Sequence, residues 1–129
     1  MLYEKRVLIA EDSVLLRRLV VSMLQVAGDF VVDEAGDGAE ALAALRANRY
    51  DLVVSDWNMG GLDGLQLFRA MRDEPALAGI PFILMSGEHT PDTIARAVDA
   101  GVFGFLPKPF SRDQLARQVE RVLAARVAA

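Results

Sequence analysis

Short uninterrupted apolar runs alternate along the chain with longer stretches whose apolar residues recur at helical spacing. Val7 to Ala10, Phe30 to Val32, Leu52 to Val54, Phe82 to Met85 and Val102 to Leu106 are too short for helices. Turn-forming residues or acids flank them, so each reads as a buried strand. The second run is short and set among acids, which places it near a sheet edge. Leu15, Leu16, Leu19, Val20, Met23 and Leu24 form the inner face of a first helix, with Arg17 and Arg18 on its solvated side. A second helix runs from Ala39 to Asn48 after the turn Gly36-Asp37-Gly38. Asp63-Gly64 opens a third, with Leu65, Leu67, Phe68 and Met71 inward. Thr90-Pro91-Asp92 begins a fourth as cap and first-turn proline, with Ile94, Ala97 and Val98 inward and Gly101 as its stop. Ser111 with Gln114 has the spacing of a capping box for a fifth helix that buries Leu115, Val119, Val122 and Leu123.

Five strands alternating with five helices define an α/β domain. Right-handed crossovers then give a doubly wound parallel sheet covered on both faces. The 129 residues, 53% of them apolar, suffice for one domain with a core of its own, residues 1–129, and no fused output module is expected. No run approaches the ~20 apolar residues that cross a bilayer. The absence of cysteine removes disulfides and thiolate metal sites and favours a cytoplasmic setting. A net charge of −4 argues against direct nucleic-acid binding.

The chemistry-bearing residues cluster just after the strands. Glu11 and Asp12 follow the first, Asp56 ends the third, Ser86 the fourth, and Lys108 follows the fifth. A parallel sheet brings these carboxyl ends to one rim. Three carboxylates gathered there repel and need a cation, and hard oxygen donors suit Mg²⁺. Lys108 adds a fixed positive charge and Ser86 a hydroxyl. Such a set can hold a multiply charged tetrahedral group on Asp56, whose carboxylate can act as a nucleophile toward phosphorus. Each residue also has a plainer reading. Asp12 can cap the first helix, Asp56 and Ser86 can serve in turns, Lys108 can be a solvated charge, and Phe105 a core aromatic. Trp57 reads as half-exposed packing, and His89 as a surface loop residue.

The acid pair Glu11-Asp12, the segment Asp56-Trp57-Asn58-Met59 with Leu62-Asp63-Gly64, Ser86 with Glu88, and Lys108-Pro109, in this order, resemble the receiver domain of bacterial two-component response regulators of the single-domain, CheY-like kind. The resemblance covers essentially the whole chain. It implies a flavodoxin-like sheet of order 2-1-3-4-5. It also implies Asp56 as acceptor of a phosphoryl group from a histidine kinase, with Lys108 touching that group. Mg²⁺ would be held by Asp12, Asp56, the Asn58 backbone carbonyl and, through water, Glu11. The Lys108-Pro109 bond would be cis. Ser86 and Phe105 would form the switch, Asn58 and Glu88 would tune dephosphorylation, and the lifetime of the phosphoryl group would be short. The protein would be no enzyme beyond catalysing its own phosphorylation and dephosphorylation.

A downstream protein would bind the face of the fourth helix, fifth strand and fifth helix, roughly Pro91 to Arg126, in chemotaxis-type signalling, and the chain would be a monomer or weak dimer. The chain departs from chemotaxis members in carrying Phe105 for a tyrosine, Gly60 for a proline and Ser86 for a threonine. Phe105 cannot hydrogen-bond across the switch, so any coupling there is packing alone. Competing readings are a phosphorelay intermediate serving a histidine phosphotransfer protein, a Mg²⁺-dependent aspartyl-phosphate phosphatase, a nucleotide-binding module and an unphosphorylated docking scaffold. The phosphatase needs a second acid where Asn58 stands, the nucleotide module a glycine fingerprint that is missing, and the intact acid set disfavours the scaffold.

Overall fold

The computed structural model describes residues 4–88 and 90–128, and the side chains of residues 4–88 and 90–125. Five strands alternate with five helices: β1 Lys5–Ala10, α1 Val14–Ala27, β2 Phe30–Ala35, α2 Gly38–Ala47, β3 Leu52–Asp56, α3 Gly64–Arg72, β4 Phe82–Ser86, α4 Pro91–Ala100, β5 Gly104–Pro107 and α5 Arg112–Ala128. The strands form one parallel sheet of order β2-β1-β3-β4-β5, the order that the resemblance implied. β2 is an edge strand, as read, but continues to Ala35 because all six residues pair with β1. β5 starts at Gly104, later than the apolar run suggested.

Period-two alternation divides the core between the two faces of the sheet. Val7, Ile9, Leu52, Val54, Ile83, Met85 and Leu106 pack with Val20 and Leu24 of α1 and with Leu115, Val119 and Val122 of α5. Leu8, Ala10, Val53, Phe82 and Leu84 pack on the other face with α2, α3 and Ala97 of α4. The central strands are apolar on both faces because helices cover both.

Local sequence sets the helix starts. The side chains of Ser13, Asp37, Asp63 and Thr90 each accept from a backbone N–H of the first turn. Asp63 forms a reciprocal capping box with Gln66, and Ser111 does the same with Gln114. Gly101 closes α4 at φ +90°, a conformation that favours glycine.

Several apolar positions turn outward against expectation. Leu15 is 84% exposed and Leu19 half-exposed on α1; Ile94 is exposed and Val98 is 65% exposed on α4. A helix packed on one face of a sheet buries a narrow stripe, and on α4 that stripe holds Ala97 alone among fully buried residues. The expectation for His89 lies outside the described residues. Among the described residues, no helix is long and apolar enough to cross a membrane.

Candidate phosphoacceptor site

The register of the sheet assembles the site. Ala10, the last residue of β1, lies opposite Ser55; Asp56 lies opposite Met85; Ser86 lies opposite Pro107. The residues that follow these positions therefore meet at one rim. Oxygens of Glu11, Asp12 and Asp56 lie within 4.8 Å of one another. Lys108 Nζ is 2.6 Å from Asp56 Oδ1 and 3.3 Å from Glu11 Oε1. Asp56 is 5% exposed and Glu11 1%, whereas Asp12 is open to solvent.

Burial drives the electrostatics. Loss of hydration raises the Asp56 carboxyl above its ordinary value; the Lys108 hydrogen bond opposes this, and the charge on Asp12 adds to it. Glu11 is raised for the same first reason, although the Ser13 N–H that it accepts works the other way. Burial pulls the Lys108 ammonium down, but the hydrogen bond and charge of Asp56, then those of Glu11, more than reverse this and hold it above its ordinary value.

These three carboxylates fit a divalent cation. They are hard oxygen donors, gathered closely, and two of them are penalised as bare charges by burial. Each of the three offers one carboxylate oxygen to such a cation, and Glu11 and Asp56 also share the Lys108 ammonium.

Ser86 is buried, and its hydroxyl donates to the Glu88 carbonyl at 2.6 Å while accepting from the Glu88 N–H at 3.1 Å. The Lys108 N–H donates to the Ser86 carbonyl at 2.7 Å, so β4 and the loop after β5 are tied beside Asp56. The Lys108-Pro109 peptide is cis, as the resemblance implied. Asn58, two residues after Asp56, and Glu88, two after Ser86, are exposed. Phe105 is half-buried against the core that α2, α3 and α4 cover.

Two corrections concern neighbours of the site. Trp57 is buried at 5% exposure rather than half-exposed, because α4 and its Arg96 cover it. Arg17 is not a solvated charge: it donates to the Glu11 carbonyl at 2.8 Å and to Glu34 Oε1 at 2.9 Å. Helical periodicity alone could not place Arg17, since its partners lie in the turn after β1 and on β2.

The response regulator receiver domain model matches residues 7–120. The chain is 35% identical over 117 residues to the chemotaxis protein CheY of Pseudomonas aeruginosa, covering 91% of this chain and 94% of that one. It is 33% identical to CheY-3 of Vibrio cholerae, covering 91% and 90%. Among solved structures, the chemotaxis response regulator CheY4 of Vibrio cholerae superposes with a TM-score of 0.86 at 32% identity, covering 93% of this chain and 99% of that one. The receiver domain of a sensor histidine kinase from Pseudomonas aeruginosa, with a magnesium ion coordinated in its active-site cleft, gives 0.86 at 25% identity, covering 95% and 99%. The chain belongs to the response regulator receiver domain family.

Proposed function

We propose that this protein is a CheY-type phosphoacceptor switch, phosphorylated on Asp56 in a Mg²⁺-dependent reaction and read by a partner protein. The observation that carries this reading is the near-buried Asp56 carboxylate, held 2.6 Å from Lys108 Nζ beside Glu11 and Asp12. The donor is a phosphohistidine on a sensor kinase or a histidine phosphotransfer protein. An Asp56 carboxylate oxygen attacks phosphorus, the P–N bond breaks, and the imidazole leaves with the bonding pair and takes up a proton. Lys108 stabilises charge on the phosphoryl oxygens through a preformed position. Asp12, Asp56 and the Asn58 carbonyl would hold Mg²⁺, which supplies Lewis-acid screening of that charge. Water later hydrolyses the acyl phosphate, and the exposed Asn58 and Glu88 set how readily it enters. The protein then acts on no other substrate.

In the switch, the Ser86 hydroxyl leaves the Glu88 backbone for a phosphoryl oxygen, and Phe105 packs into the space released. This biases a two-state element by a local change of charge. Exposed Ile94, Val98 and Phe103, with Arg121 stacked 4.6 Å from the Phe103 ring centroid, support the α4-β5-α5 face as the surface that the partner reads. Kinship to chemotaxis proteins favours a role in chemotaxis-type signalling.

The test is to mix protein, Mg²⁺ and acetyl phosphate or beryllofluoride, and to follow intact mass and Trp57 fluorescence. A Mg²⁺-dependent gain of one phosphoryl group, absent in Asp56→Asn, is expected. Equal phosphorylation of Asp56→Asn would overturn the assignment.

A further inference from the structure

We infer that Arg17, pinned by Glu34, is a positioning residue for the cation site, holding the β1–α1 turn so that Glu11 and Asp12 stay in register with Asp56. This inference rests on the function proposed above and adds two residues to it.

Glu11 is held at each of its polar points. Its N–H donates to the Ala35 carbonyl at 3.1 Å. Its side chain accepts from the Ser13 N–H at 3.0 Å and from Lys108 Nζ at 3.3 Å. Its carbonyl accepts from Arg17 Nη1 at 2.8 Å. Arg17 Nε in turn donates to Glu34 Oε1 at 2.9 Å, and the arginine side chain is only 15% exposed. Its Nη1 also lies beside Gly36. One guanidinium thus bridges the turn after β1 to the end of β2. The planar fork suits this double engagement, which a lysine ammonium cannot reproduce with the same geometry.

The turn needs such a strut because it carries two adjacent acids facing a third. Lys108 screens Glu11 and Asp56, but the charge on Asp12 still repels Asp56 and works to open the turn. Mg²⁺ demands near-ideal octahedral geometry, while Ca²⁺ accepts irregular sites. A slack turn therefore penalises Mg²⁺ more than Ca²⁺. Groups that orient ligands from behind typically change metal affinity by ~10–100-fold when lost.

The test is calorimetric titration of the unphosphorylated protein with Mg²⁺ and separately with Ca²⁺, with Trp57 emission as a second reporter. Wild type is compared with Arg17→Met, Arg17→Lys and Glu34→Gln, with urea unfolding of each. Arg17→Met should weaken Mg²⁺ binding by about tenfold and Ca²⁺ binding by less. Arg17→Lys should recover part of the loss, and Glu34→Gln should weaken Mg²⁺ several-fold. Should Arg17→Met fail to fold, Glu34→Gln decides alone. Mg²⁺ affinity within about twofold of wild type in whichever variant decides, or an equal loss for both metals, overturns the inference. A wild type that binds no Mg²⁺ overturns the proposed cation site and this inference together, whereas normal binding with unaffected variants overturns this inference only.

Discussion

The Arg96 guanidinium lies over the Trp57 ring, 5.1 Å from its centroid. Trp57 follows Asp56 directly, and its backbone is fixed on both sides: its N–H donates to Met85 and its carbonyl accepts from Gly64, each at 2.8 Å. The contact therefore joins α4 to the segment that follows β3. At the other end of α4, Arg72 Nη1 donates to the Ala100 carbonyl at 3.0 Å. These two arginines add to the hold of the buried Ala97 and of Thr93, which donates to the Glu88 carbonyl. Replacing Arg96 by Met should cost about 0.5–1 kcal/mol and shift the Trp57 emission. Urea unfolding and a fluorescence spectrum check this, and an unchanged spectrum would rule the stacking out in solution.

The metal-free acid site should cost stability at neutral pH. Asp56 and Glu11 are both raised above their ordinary values, chiefly by burial. Their stabilising contribution is therefore present below the ordinary carboxylate range, and it is lost as pH rises through the raised values. Saturating Mg²⁺ should offset this loss at neutral pH, with about 2.7 kcal/mol at a hundred times Kd. The gain should fade on acidification as the carboxylates protonate. Thermal melts with and without Mg²⁺ test it; a pH-independent gain, or the same gain in Asp56→Asn, would contradict it.

On the edge of the sheet away from the site, the buried Tyr50 hydroxyl donates to Asp33 Oδ2 at 2.6 Å, and Arg6 donates to the same oxygen at 2.8 Å. Burial first, and then Asp33, push the Tyr50 hydroxyl up to about 12. Its contribution is complete below the ordinary tyrosine value of about 10 and lost as pH rises through about 12. Asp33 is held below its ordinary value, first by the Tyr50 hydrogen bond. Its contribution is present above the ordinary carboxylate value and lost as pH falls through the lowered one. Tyr50→Phe should cost about 1 kcal/mol and flatten both limbs of the profile of urea midpoint against pH. Parallel profiles for the two proteins would refute the linkage.

Gly64 sits where a Cβ would overlap the Asp56 carbonyl oxygen and crowd Leu84 Cδ1. The start of α3 thus presses directly on the backbone of Asp56. Gly64→Ala should destabilise by about 1–3 kcal/mol and slow phosphorylation by acetyl phosphate. Gly60 has open space around it, so Gly60→Ala should leave both properties nearly unchanged. Denaturation midpoints and phosphorylation rates measured side by side separate the two positions; equal effects would refute the steric account.

The sequence by itself determined the elements and the fold class. Short apolar runs bounded by turn residues read as strands, helix-period stripes need a sheet to cover, and residues such as Asp63, Thr90 and Ser111 fix helix starts through local hydrogen bonds. Because strand ends of a parallel sheet share a rim, Glu11, Asp12, Asp56, Ser86 and Lys108 were legible as one site without coordinates. Tertiary structure decided what depends on partners distant in sequence. It buried Trp57 with Arg96 over its ring, made Arg17 a bridge between the turn after β1 and the end of β2, and turned Leu15, Ile94 and Val98 to the surface. An apolar stripe states that a helix has an inner side. How wide that side is depends on how closely the sheet and the neighbouring helices approach it, and only the packed fold sets that distance.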